Sequence, residues 1–189
     1  NPKFNDEKEV KYILKDYTKI INSLSADKRV LSFATRSLNN GMIANSKGSR
    51  GCQIRGIIPS AEAELTKLRK KIVDGSYFDA NTKKNPIIIG QKLANKMKLK
   101  VKSKVVLTFQ ETNGELTSAA FKVIGIYKCS NSIFEEMNLF VQQNDLIRLL
   151  DDEHMIHEIA LLLKDVKQLD SVQSVLASGW VTTGNCTHL

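Results

Sequence analysis

Apolar residues recur at three- and four-residue spacing from Val10 through Ile13, Leu14, Tyr17, Ile20 and Ile21 to Leu24. That spacing predicts a helix over 6–24 with one buried stripe. Asn5 is placed to cap it, Asp6, Glu7 and Glu9 suit the positive end of its dipole, and Lys8, Lys11, Lys15 and Lys19 lie opposite the stripe. The period then shortens. Arg29–Arg36, Met42–Ala44 and Cys52–Ile58 read as extended, and the turn-forming stretch Asn45–Arg50 folds Met42–Ala44 onto Cys52–Ile57 as a hairpin. Pro59 opens a second helix, with Glu62 and Glu64 in its first turn, Leu65, Leu68 and Ile72 on one side and Gly75 as its stop.

A polar stretch over 79–85 leads to the apolar run Pro86–Gly90 and then to a short helix, Gln91–Met97, with Leu93, Ala94 and Met97 facing inward. From Lys98 to Tyr127 the pattern is that of strands. Val101, Val105 and Leu107 alternate with Lys100, Lys102 and Lys104, giving a buried face and a charged one. Lysines so placed read as a guard against edge-to-edge pairing. Glu111-Thr112-Asn113-Gly114 marks a tight hairpin, and the return strand covers 119–127. A polar loop, a strand at Asn138–Val141 and a helix at Asp145–Leu150 follow. The chain ends as a βαβ unit: a strand at His157–Leu163, a helix from Asp165 carrying Val166, Leu169, Val172, Val175 and Leu176, and a strand over 179–183. The fold class expected is therefore α+β, mixed helix and strand.

Composition narrows the function. At 189 residues, 42% hydrophobic and 25% charged, the chain is long enough for one large domain or two small ones around a real core. No apolar run approaches the roughly 18 residues a membrane helix needs, and no signal peptide is present. The chain opens on Asn1-Pro2-Lys3-Phe4 without an initiator Met, which suggests a segment of a longer polypeptide. The net charge of +8 is distributed as +6 over residues 1–58, +4 over 59–152 and −2 over 153–189. Such a surface attracts nucleic acid, anionic headgroups or an acidic partner.

Catalytic and metal chemistry find no constellation. Cys52, Cys129 and Cys186 are widely spaced, and His154, His157 and His188 bring no third ligand to a common point. No G-x-S-x-G elbow, HExxH or Walker A sequence occurs, and Gly48-Ser49-Arg50-Gly51 sits at a hairpin tip, not between a strand and a helix. Asp151-Asp152-Glu153 reads as a solvated run. The tract Lys92, Lys96, Lys98, Lys100, Lys102 and Lys104 makes a nucleic-acid-binding module the alternative reading, although it lacks the interleaved aromatics or arginines that read bases.

The order of motifs carries a resemblance. Gly56-Ile57-Ile58-Pro59 is followed by a helix and Val73-Asp74-Gly75-Ser76-Tyr77, then by Ile87-Ile88-Ile89-Gly90-Gln91-Lys92-Leu93-Ala94 and Met97-Lys98-Leu99. Val105-Val106-Leu107, Phe121 through Tyr127 and Phe140-Val141 complete the series. Over roughly residues 50–165 this resembles the MacB-like periplasmic core domain of the MacB, FtsX and LolC/LolE group of ABC-transporter permeases. Where that group has glycine before its next strand, this chain has Lys102-Ser103-Lys104, and its Glu111–Ser118 hairpin is short. The resemblance implies two subdomains: a porter-like, βαβ-containing lobe of residues 1–58 plus 153–189, and an inserted, mostly-β (Sabre-like) lobe of residues 59–152. It implies a non-catalytic domain on the periplasmic side of a bacterial inner membrane, without a cofactor, coupling ATP hydrolysis elsewhere to export, lipoprotein release or partner activation. The partners implied are a cytoplasmic ABC ATPase subunit, a second permease copy, and a periplasmic adaptor, lipoprotein or chaperone; nucleic acid is not among them. Exposed loops are the expected contact points: Lys47 and Arg50, Asn113 and Glu115, and Asn131 and Phe134.

Overall fold

The structure, a computed structural model, describes Leu14 and residues 17–79, 85–111, 114–150 and 156–165. The chain runs α1 (Tyr17–Ala26), β1 (Val30–Asn45), β2 (Gly48–Ile57), α2 (Pro59–Thr66), a 3-10 turn (Leu68–Lys71), β3 (Ile72–Gly75), β4 (Pro86–Gly90) and α3 (Gln91–Met97). It continues through β5 (Lys104–Gln110), β6 (Leu116–Tyr127), α4 (Ser132–Met137), β7 (Asn138–Gln142), α5 (Gln143–Leu150) and β8 (Glu158–Leu163). The mixed helix-and-strand class is as the sequence implies.

Hydrophobic alternation closes the strands into a ring. β1 pairs with β2, β2 with β7, β7 with β4, β4 with β6, β6 with β5, and β5 returns to β1. Inside lie Ile43, Ile54, Ile87, Ile89, Leu107, Phe109, Phe121, Val123, Leu139 and Val141, all of them buried. β4 and β7 are buried on both faces, so Ile88 and Phe140 pack outward with Ile57, Leu68, Phe78 and Tyr127 in a second cluster. Leu93, Ala94 and Met97 bring α3 onto the ring interior, and Leu146 and Leu150 bring α5. Gly90 makes the strand-to-helix step possible: a Cβ there would stand 2.0 Å from the Glu135 carbonyl oxygen.

β1 is the element the pattern misjudged most. Two strands were expected, at 29–36 and 42–44; one strand of 16 residues runs through. One edge of β1 pairs with β2 from Arg36 to Asn45, while the other edge pairs first with β8 (Val30–Arg36) and then with β5 (Gly41–Ala44). Between these two partners that edge of residues 37–40 has no paired strand among the described residues, and side chains substitute for it. His157 Nδ1 accepts from the Leu38 N–H at 3.1 Å, and Asn39 Nδ2 donates to the Gln110 carbonyl at 2.8 Å. Buried backbone polar groups must find partners, which explains the polar residues that interrupt the alternation. The 58/59 division expected from the sequence falls beside a continuous sheet, in which β2 and the second half of β1 are ring strands.

Other boundaries differ for local reasons. The second helix was expected to continue to Gly75; it stops at Thr66 because Lys67 adopts the left-handed conformation at φ 57, breaking the helical ladder and turning Leu68 fully into the core. β5 begins at Lys104, not at Val101, after a turn in which Ser103 donates its N–H to the Lys100 carbonyl at 2.9 Å. β5 has neighbours on both sides, so its lysines guard no edge. The polar stretch before β7 contains α4. The helix over 6–24 appears as α1, whose Leu24 and Ile20 pack on Val30, Phe33, Ile159, Leu161 and Leu163; its first half lies outside the described residues. The same is true of the helix and strand expected after Asp165, of Cys186, and of His154, His188 and the Asp151–Glu153 run.

Candidate functional site

Arg36 sits where β1 changes partners, opposite Ile57 of β2 on one edge and Glu158 of β8 on the other. Its side chain is 5% exposed. Nε and Nη2 donate to both carboxylate oxygens of Glu62 at 2.9 and 2.8 Å, a bidentate fork, and Nη1 donates to Glu158 Oε1 at 2.5 Å. Glu62, in the first turn of α2, is completely buried and also accepts from Thr66 Oγ1 at 3.0 Å. Glu158 reaches on to Arg55 Nη1 at 3.8 Å. Arg55 Nε donates to Asn138 Oδ1 and Nη2 to Gln53 Oε1, both at 2.8 Å, and its guanidinium lies 5.2 Å from the centre of the Phe134 ring.

Two cations and two anions thus tie α2, β1, β8 and β2 together with their charges balanced. Burial works against ionisation of Glu158, but Arg36 and Arg55 outweigh it and hold the carboxyl below its ordinary range. Burial lowers the Arg55 guanidinium, opposed by Glu158. Such a network fixes geometry more than it adds stability, because the desolvation of the ions consumes most of their attraction. Its members are 26 and 122 residues apart from Arg36 along the chain, so spacing alone gave no signal for them. The one available cue was an arginine placed in each of two apolar strand runs, Arg36 and Arg55.

The loop residues singled out from the sequence separate into three groups. Lys47 and Arg50 lie at the β1–β2 turn, on a cleft of about 270 Å³ that they share with Lys96 and Lys98. Glu115 is exposed at the start of the β6 return, its carbonyl accepting from the Glu111 N–H at 2.8 Å, while Asn113 lies outside the described residues. Asn131 and Phe134 have structural duties. Asn131 Oδ1 caps α4 by accepting from the Phe134 N–H at 3.0 Å, and the Phe134 ring packs 6.4 Å from Tyr127 and 6.3 Å from Phe140. Among the described residues no group of three or more His, Cys, Asp or Glu side chains is placed to hold a metal ion.

This architecture is that of the extracytoplasmic domains of MacB-like ABC-transporter permeases. The extracellular domain of YknZ, a noncanonic ABC-type transporter of Gram-positive bacteria, superposes with a TM-score of 0.60 at 19% identity, covering 85% of this chain and 84% of that one. The periplasmic region of MacB from Actinobacillus actinomycetemcomitans gives a TM-score of 0.60 at 15% identity, over 88% and 75% of the two chains. In sequence, the chain is 27% identical over 128 residues to LolC, the lipoprotein-releasing system transmembrane protein of Neisseria meningitidis serogroup B. That match takes in 62% of this chain and 31% of LolC, so the chain spans about a third of that relative's length. No family model matches the chain. Among the described residues no helix is long and apolar enough to cross a membrane.

Proposed function

We propose that this chain is the non-catalytic coupling domain of a bacterial ABC-transporter permease, held on the periplasmic side of the inner membrane. There it converts movement of membrane helices, driven by a cytoplasmic ATPase subunit, into work on a cargo or partner. The observation that carries this reading is the Arg36 junction. α1 and β8, the described elements nearest the two chain ends, pack on the first half of β1, and β1 continues from them into the ring. The ion network clamps that passage, so a displacement of α1 and β8 is delivered to the ring as one body. The division into lobes then runs through β1 at Arg36: a porter-like lobe of α1, β8 and the start of β1, and a ring lobe of the remainder.

The likeness to permease domains in fold supports this reading, as does the sequence similarity to LolC. A dimer of permeases and a periplasmic adaptor, lipoprotein or chaperone belong to the same proposal. The test is to assay the whole permease with its ATPase, carrying Arg36→Met together with Glu62→Met. ATP hydrolysis is expected to continue while transport or partner activation falls. Equal retention of both activities, or a parent gene that encodes no hydrophobic spans on either side of this segment, overturns the reading.

A further inference from the structure

We infer that the end of the ring away from the β1–β8 pairing is a docking surface for an acidic protein segment. The site rests on the fold, not on the coupling reading, and goes beyond it. β1 carries the chain about 50 Å from Val30 to Asn45. At that far end, the β1–β2 turn, the outer side of α3 and the turn before β5 converge. Asn45 Nδ2 donates to the Met97 carbonyl at 2.9 Å, locking β1 to the end of α3, and the Lys102 N–H donates to the Val123 carbonyl at 2.7 Å, locking the turn to β6. Lys47, Arg50, Lys96 and Lys98 line the cleft between them, and Lys100, Lys102 and Lys104 extend the same end; all are exposed. Glu136 is the acidic side chain recorded against this cluster, ion-paired with Lys96 and 3.8 Å from Arg50. The acidic hairpin residues Glu111 and Glu115 stand at the opposite end of β5.

A second observation concerns the backbone of these lysines. Lys98 and Lys102 have φ of 53 and 75, in the left-handed region where a side chain costs energy and glycine does not. Lys98 ends α3, where glycine is the favoured residue. Lysine at both positions keeps two charges on one surface at some expense of local backbone comfort, as Lys67 does at the end of α2, so the conformation adds to the clustering of charge and does not replace it. Neither edge protection nor burial accounts for them, since β5 is paired on both sides and both lysines are exposed.

The chemistry favours carboxylates as the partner. No aromatic ring lines the cleft to stack bases, and its one arginine is already engaged by Glu136. The experiment titrates the chain with a fluorescent Glu- and Asp-rich 20-residue peptide, with a single-stranded oligonucleotide of equal charge, and with phosphatidylglycerol vesicles. Saturable peptide binding is expected that weakens as salt rises, with amide shifts centred on residues 47–50 and 96–104. The Lys98→Gly/Lys102→Gly variant keeps the backbone content and is expected to bind the peptide about fivefold or more weakly, as loss of two exposed charge pairs dictates. A charge-matched control, Lys28→Ala/Lys164→Ala, is expected to bind as the parent does. Equal weakening in the control, no weakening in the glycine variant, or tighter binding of the oligonucleotide or vesicle overturns the inference. Any of these outcomes leaves the coupling proposal intact, because that proposal is read from transport in the whole permease.

Discussion

Removing the Arg36 guanidinium is the most incisive perturbation of this fold. Arg36→Met leaves Glu62 completely buried, with the Thr66 hydroxyl as its remaining recorded side-chain partner, and takes from Glu158 its shorter ion pair. Breaking one side of a buried pair costs about 3–5 kcal/mol, since the other charge stays in the interior uncompensated. Replacing both sides is different in kind. Arg36→Met with Glu62→Met removes the two desolvated ions together and fills their space with apolar atoms, and is expected to recover most of the loss. Urea unfolding followed by circular dichroism measures the difference. With a slope of about 2.5 kcal/mol/M, the single variant shifts the midpoint down by about 1–2 M and the double variant by less than half of that. A single variant within about 1 kcal/mol of the parent, or a double variant as unstable as the single, refutes the reasoning.

Glu158 gives the junction an acid limb. Its folded carboxyl lies below the ordinary value of 4.5, so its contribution is present above that pH and is lost as pH falls through the lower folded value. Thermal midpoints of Glu158→Gln are therefore expected to fall below those of the parent at pH 7, with the gap narrowing as pH drops below 4.5. Lys102→Gly relieves a left-handed residue at φ 75 and is expected to hold or raise stability by up to about 1 kcal/mol; a loss beyond about 0.5 kcal/mol in the same urea assay contradicts the strain argument. Gly90→Ala forces a Cβ to within 2.0 Å of the Glu135 carbonyl oxygen and is expected to cost about 2–3 kcal/mol, whereas Gly51→Ala, with nothing within 4 Å, changes the thermal midpoint little. Burial pushes the Cys52 thiol up to about 12, so it is expected to resist a thiol reagent at pH 8 in the native chain and to react on unfolding.

The strands and helices whose apolar residues face one side were legible from the sequence. Ile87–Ile89, Leu93 with Ala94, and Phe121 with Val123 announce a buried strand, a short inward-facing helix and an inward strand face, and each lies there. What was not legible depended on distant partners. Ser37 and Asn39 look like a break because their polarity answers to Gln143 and Gln110, more than 70 residues away. Lys67 gave no sign of ending a helix, since a left-handed lysine has no sequence signature as glycine does. The lysines of residues 98–104 were visible as a tract but were assigned to an edge strand; ring closure is a global property that no window of sequence contains. Asn131 and Phe134, polar-loop residues by composition, became cap and packing residues because Tyr127 and Phe140 supply the rings beside them.

Val30 and Leu163 are paired neighbours, so the start of β1 and the end of β8 lie side by side. Traction applied to both together pulls along the axis of β1, loading its rungs to β2 simultaneously, like a shear joint. Traction that separates them opens the β1–β8 ladder one rung after another, like a zipper, and meets little resistance. The molecule is stiff toward a concerted stroke and compliant toward a divergent one, a mechanical rectifier set by nothing more than which ends of two antiparallel strands meet.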